Sequence, residues 1–185
     1  GQPVKLSFVV RQHGVSPMND VKPTVEARLG NPVTGTTVQA AATRAGGAGQ
    51  YTASFTLPKA GEWRVTVKSG WGNSNVTLEP MQAVEAGRTI ATIADAERGR
   101  HLFVAKGCIT CHVNERVETK GVASDAGPNL TDKQYDAAYL AMWLKNPKIR
   151  PRTNPNAEMP DLNLSDREVA ALTSFVNNGK SAANK

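Results

Sequence analysis

The chain has 185 residues, enough for one large or two small domains, with 39% hydrophobic residues and a formal net charge of +6. No stretch approaches the ~18 apolar residues of a membrane helix, and no charged-then-apolar leader opens the sequence, so it predicts a soluble chain without a signal peptide. A processed secreted protein, or one cut from its anchor, would read the same way. Lysines and arginines are scattered except for Lys145, Lys148, Arg150 and Arg152, which excludes a basic tract of the kind that follows nucleic acid.

Residues 1 to about 88 alternate in polarity. Val4, Leu6, Phe8 and Val10 take every second position. So do Val25, Ala27 and Leu29, then Tyr51, Ala53, Phe55 and Leu57, then Trp63, Val65 and Val67. Period two with this enrichment predicts strands with one buried face. Turn signals fall at Ser16-Pro17, Gly30-Asn31-Pro32, Gly46 to Gly49 and Pro58 to Gly61. Short strands at such spacing predict an all-β sandwich, with Tyr51 to Val67 as a hairpin.

From about residue 94 the period lengthens. Asp95 is expected to cap a helix through Ala105, ended by Gly107. Thr131 with Gln134 offers a capping box for a helix to about Asn146, stopped by Pro147. Its apolar face would hold Tyr135, Tyr139, Met142 and Trp143. Ser165 with Glu168 offers another box; Val169, Leu172, Thr173 and Val176 then recur at helical spacing, and Gly179 ends the run. The change of period predicts two domains, an all-β sandwich over 1–88 and an all-α domain over 89–185.

Both cysteines of the chain lie in Cys108-Ile109-Thr110-Cys111-His112. C-x-x-C-H is the attachment signature of c-type haem, in which two thiols add to the two vinyl groups and the histidine becomes an axial ligand. The rival readings are a redox pair, half a zinc site or a structural disulfide. A thioredoxin-like pair should end a strand in a βαβ pattern, whereas this one follows a helical segment. A zinc site needs a second ligand pair, and none follows. The spacing therefore predicts one covalent haem c on Cys108 and Cys111, with His112 on the iron.

The order Gly99-x-x-x-Phe103, Lys106-Gly107-Cys-x-x-Cys-His, Gly127-Pro128-Asn129-Leu130, Met159-Pro160, then Leu172-x-x-Phe175 resembles class I cytochrome c. The resemblance covers roughly residues 94–180. It implies that Gly99 lets the first and last helices cross closely, with Phe103 and Phe175 packed at the crossing. It implies that the carbonyl of Pro128 accepts a hydrogen bond from His112 and that Met159 is the distal sulfur ligand. Met159 stands in a Pro- and Asn-rich loop, where a core role is less natural. Met142, on the middle helix, suits core filling. A thioether ligand raises the reduction potential, and two filled axial positions favour electron passage over small-molecule binding.

Trp143, Arg150 and Arg152 have the chemistry to reach haem propionates, one through its indole N–H and two through charge-assisted forks. Core packing for Trp143 and a solvated loop for the arginines are the plainer alternatives. Tyr135 and Tyr139 read as core, and His101 as solvated.

A β domain before a haem domain is similar in layout to oxidase second subunits, which carry a copper-binding cupredoxin. A binuclear copper centre needs two cysteines and a blue copper site needs one; this half has none. His13 with Met18 makes at most a weak metal site. Gly49 to Val65 resembles bacterial immunoglobulin-like domains of the YtkA-like type, which implies a non-catalytic docking or orienting module.

Three functions follow. The first is an electron-transfer protein, or the electron-transfer subunit of a membrane respiratory complex, whose redox partners present an acidic docking surface. The second is a haem enzyme of peroxidase or sulfur-oxidising type, and the third a haem sensor with a displaceable Met159. Resemblance to the cytochromes implies a periplasmic or other extracytoplasmic site, membrane-anchored in a longer form.

Overall fold

The structure is a computed structural model and describes residues 2–31, 34–117, 126–149 and 158–178. The chain divides into two compact units, Gly1–Ala91 and Thr92–Lys185. The division falls slightly beyond the change of sequence period.

The first unit is built of antiparallel strands: β1 (Pro3–Val9), β2 (Arg11–Gln12), β3 (Ser16–Pro17), β4 (Thr24–Leu29), β5 (Thr36–Ala41), β6 (Thr43–Arg44), β7 (Gln50–Thr56), β8 (Gly61–Lys68), β9 (Asn75–Thr77) and β10 (Met81–Ala83). One sheet runs β1-β7-β6; a second runs β10-β8-β4-β5, with β9 also paired to β8; β2 and β3 form a small two-stranded third. Alternation puts Val25 and Ala27 of β4, Ala53 and Phe55 of β7, and Trp63 and Val65 of β8 in one shared core. Fully burying a large apolar side chain contributes about 1.5–3 kcal/mol, and Trp63 is fully buried while its Nε1–H donates to the Lys59 carbonyl at 3.0 Å. On the outer face Glu26 is held by Arg28 at 2.7 Å and Lys68 at 3.1 Å. The hydrogen bond from Lys68 is the largest cause lowering its pKa.

Two local expectations are corrected. β7 and β8 form no hairpin, because they belong to opposite sheets. Ala53 and Phe55 share a core with Trp63 and Val65 of the other sheet, so the turn between these strands must cross the gap between sheets, typically ~10 Å. Ser16-Pro17 is a short strand paired with Arg11–Gln12, and the reversal falls at His13 and Gly14, with φ of 52° and 73°.

The second unit holds α1 (Asp95–Ala105), α2 (Ala137–Lys145) and α3 (Asp166–Asn177), with short 3₁₀ turns at Cys108–Thr110 and Pro147–Ile149. Among the described residues no helix is long and apolar enough to cross a membrane. α1 and α3 cross at Gly99, where a Cβ would meet the Ala171 carbonyl oxygen at 2.0 Å and Phe175 Cβ at 2.6 Å. Beside the crossing, the Phe103 and Phe175 rings lie 5.4 Å apart at 55°, a tilted pair. Ser165 and Glu168 form the capping box of α3.

The other helix starts differ from expectation. Asp95 is the first residue of α1, after Ala94 at the cap, and no side chain caps that end. α2 begins at Ala137, with the Asp136 carboxylate accepting from the Tyr139 N–H at 2.8 Å. Thr131 instead closes a loop: its N–H and hydroxyl both donate to Asn129 Oδ1, and its oxygen accepts from the Glu115 N–H. On α2 the buried residues are Leu140 and Leu144, four apart, while Met142 faces out at 55% exposure. Met142 therefore fills no core. α3 ends at Asn177, and Gly179 lies outside the described residues.

Candidate haem site

The cysteine motif begins where α1 stops. Gly107 takes φ of 77°, a left-handed conformation that costs glycine little. Its N–H returns to the Val104 carbonyl at 3.0 Å. The chain then tightens into the 3₁₀ turn, with Cys111 N–H and His112 N–H both donating to the Cys108 carbonyl, at 3.2 and 2.9 Å. Residues three apart in such a turn lie on one side, so Cys108 and Cys111 share a side and His112 follows directly. Both cysteines are free thiols. Burial, reinforced by Cys111, pushes the Cys108 thiol up to about 12, so it stays protonated at neutral pH.

His112 is oriented from the Gly127-Pro128 loop. That loop is tied back to the motif by Gly127 N–H on the Cys111 carbonyl at 2.9 Å and Leu130 N–H on the Val113 carbonyl at 2.8 Å. His112 Nδ1 lies 3.0 Å from the Pro128 carbonyl oxygen. A carbonyl only accepts, so Nδ1 carries the proton and Nε2 keeps its lone pair. Burial lowers the histidine pKa, partly opposed by the Pro128 bond, which favours the neutral ring a metal requires. Gly127 lies flush with the ring: a Cβ there would meet His112 Cε1 at 2.5 Å and Nδ1 at 2.7 Å.

Met159 is half-buried in the segment before α3. Trp143 Nε1 lies 3.2 Å from its sulfur. An indole has one N–H, and here it is directed at Met159, not left free for a propionate. Tyr139 packs on Trp143, with ring centroids 6.3 Å apart. Arg150 and Arg152 lie outside the described residues. His101, expected to be solvated, pairs with Glu97 at 3.1 Å, and Arg100 holds the same carboxylate at 2.6 Å. In the first unit His13 stands exposed at its turn.

Sequence reasoning missed Asn114 and Arg116. Asn114 is fully buried. Its Oδ1 accepts from the Arg116 backbone N–H and Nε, and its Nδ2 donates to the Leu130 carbonyl. Arg116 reaches on to the Phe175 and Val176 carbonyls at the end of α3 and lies 4.2 Å over the Phe175 ring. Nothing in Asn114-Glu115-Arg116 signals this in one dimension. The Asn129-x-Thr131 pair that closes the neighbouring loop carries the mark of an Asx turn.

The donor set fits haem c. It offers two free thiols for addition to vinyl groups, a neutral imidazole with Nε2 unprotonated, and a thioether sulfur as a soft ligand.

The helical unit carries a cytochrome c domain: the Cytochrome c family model matches residues 96–180. The chain is also similar to cytochrome c oxidase subunit 2 of Bacillus subtilis (strain 168), at 29% identity over 92 residues, covering 44% of this chain. It spans about a quarter of that relative's length, 25%. No solved structure matches.

Proposed function

We propose that this protein transfers single electrons through one haem c, bound by thioether links to Cys108 and Cys111 and ligated by His112 and Met159. The Nδ1–H of His112 on the Pro128 carbonyl, at 3.0 Å, is the observation that carries this reading. It fixes the tautomer, aims Nε2 and raises the ring's basicity as a ligand. Haem c would supply the Fe(II)/Fe(III) couple. The residues supply attachment, orientation and a closed coordination shell. With both axial positions taken by side chains, no open position remains for a substrate or gas, which argues against the peroxidase, sulfur-oxidising and sensor readings.

The likeness to an oxidase subunit supports a membrane respiratory complex as the setting, with redox proteins as partners. Attachment chemistry favours the outer side of an energy-transducing membrane. The immunoglobulin-like β unit, which holds no cysteine, serves as a docking or orienting module, and the net charge of +6 suits an acidic partner surface.

Met159→Ala tests the ligand set. The ferric wild type is expected to show the weak red-end band of thioether ligation. Met159→Ala loses the band and binds carbon monoxide in the ferrous state, whereas Met142→Ala, altering an exposed side chain, keeps it. Rapid carbon monoxide binding by the wild type would sink the reading.

A further inference from the structure

We infer that one pole of the β unit seats on an anionic phospholipid surface, with the Trp71 indole as its interfacial anchor and basic side chains, Lys22 and Arg44 foremost, toward the headgroups. The proposal sharpens the docking reading of the β unit and stands apart from the haem ligands. The pole is assembled from three stretches of chain. The β2–β3 hairpin and the segment after it close one side, with Met18 N–H on the Val10 carbonyl at 3.0 Å. The β6–β7 loop joins them through Gly49 N–H on Asn19 Oδ1 at 2.7 Å. The β8–β9 loop lies against the same segment, since a Cβ on Gly70 would meet the Lys22 carbonyl oxygen at 2.6 Å. β10 runs back along β8 and ends with Ala83 opposite Gly61. The chain therefore leaves the sandwich at the far end of the eight-residue β8, about 25 Å from the Trp71 loop.

Trp71 is held out, not left loose. Its backbone N–H donates to Ser69 Oγ at 3.0 Å, and its carbonyl accepts from the Ser69 hydroxyl and the Ser74 N–H, both at 3.2 Å. The backbone is fixed while the ring stays 55% exposed, with Val15 at 46% beside the β2–β3 turn and Val9 at 44% on the end of β1. The β6–β7 loop, Ala45 to Gly49, carries nothing larger than a methyl. Such a pole offers three apolar side chains, where a stable protein interface takes about 20–30 residues a side. It suits shallow insertion instead, because an indole sits where hydrocarbon gives way to headgroups, its body in the apolar zone and its N–H in the wet one. Charge selects the lipid. Along residues 9–24, 43–51 and 67–76 the cations are Arg11, Lys22, Arg44 and Lys68, and Asp20 is the one carboxylate. Lys68 is taken by Glu26 at 3.1 Å, whereas Lys22 and Arg44 are exposed. Basic side chains within a Debye length of an anionic leaflet are drawn to it.

The test is vesicle binding by the full-length holoprotein. It should co-sediment with vesicles of equal parts phosphatidylglycerol and phosphatidylcholine, bind phosphatidylcholine alone about tenfold more weakly, and come off at high salt. On binding, tryptophan emission should shift to the blue and gain protection from a water-soluble quencher. That change belongs to Trp71, since Trp63 is fully buried already. Trp71→Ala is expected to weaken binding about tenfold or more, and Lys22→Glu about fivefold or more. Met142→Ala, which removes a side chain equally exposed at 55% in the other unit, should leave binding unchanged. All three side chains are exposed, so the variants are expected to fold, and matching thermal melts check this. No binding to either kind of vesicle overturns the proposal and leaves the pole to a protein partner. Binding that Trp71→Ala or Lys22→Glu fails to weaken also overturns it, because the attraction then comes from net charge alone. The haem reading answers to a separate measurement. The red-end band should be the same in all three variants, and a wild type that binds vesicles but lacks the band strikes the His112/Met159 assignment only.

Discussion

Gly99 and Ala171 meet so closely that a Cβ on the glycine would lie 2.0 Å from the alanine carbonyl oxygen. Backbone, not a movable side chain, occupies the space. Helix propensity alone favours alanine over glycine by about 1 kcal/mol, while overpacking of this kind costs typically ~1–3 kcal/mol or more because a helix must move. Gly99→Ala is therefore expected to destabilise the holoprotein, by about 1–3 kcal/mol in a denaturant titration. A gain in stability would mean that α1 and α3 separate without cost.

A second tie between these helices is ionic. Lys106, just before the cysteine motif, holds Glu168 of the α3 capping box at 2.7 Å. Lys106, then the Ser165 backbone, lowers the Glu168 pKa below its ordinary 4.5. A carboxyl with a lowered folded-state pKa adds stability above its unfolded pKa and loses it as pH falls through the folded value. Lys106→Met should thus cost ~0.5–1 kcal/mol at pH 7. The gap to wild type should close as pH drops below about 4.3. Denaturant midpoints measured across that range check it. A gap that widens in acid would contradict the pairing.

The parts of the sequence that spoke plainly are those with a period or a local partner. Alternation marked β1, β4, β7 and β8 because each buries one face, and Ser165 with Glu168 announced α3 because a capping box is closed within one turn. Thr131 with Gln134 looked the same in one dimension, but Thr131 finds Asn129 and Glu115 first, and α2 starts later on Asp136. The assignment of β7 and β8 to opposite sheets, the outward side of Met142, and the Trp143 contact with Met159 all depend on long-range packing. Arg116 was silent for the same reason: its acceptors on Phe175 and Val176 lie far along the chain.

Gly127 offers a probe of histidine orientation. A Cβ there would stand 2.5 Å from His112 Cε1 and 3.0 Å from the Cys111 carbonyl oxygen. The ring is hemmed in by its bond to Pro128, and the second contact is backbone, so neither yields cheaply. Gly127→Ala is expected to cost about 1–3 kcal/mol in stability. It should also broaden the visible spectrum of the reduced protein as the histidine loses a single orientation. An unchanged spectrum with unchanged stability would show that the loop moves away freely.

Arg116 acts at the far end of α3. That helix has no basic residue in its last turn, and its Phe175 carbonyl already accepts from the Asn178 N–H at the cap. The Arg116 guanidinium adds a second donor to the Phe175 carbonyl and one to that of Val176, covers the Phe175 ring, and is itself fixed by buried Asn114. Burial lowers its pKa, but it stays charged at neutral pH. A cation at a helix C-terminus adds favourable dipole energy, and hydrogen bonds to charged groups are worth ~1.5–3 kcal/mol each when buried. The side chain is half-buried, so the lower end applies. Arg116→Met is expected to cost about 1.5–2 kcal/mol. Arg116→Lys should recover only part of this, since an ammonium keeps the charge but not the planar fork that reaches two carbonyls and the Asn114 oxygen together. Thermal melts of the two variants should therefore rank wild type above Lys above Met. Equal melts for Lys and wild type would reduce the interaction to simple charge.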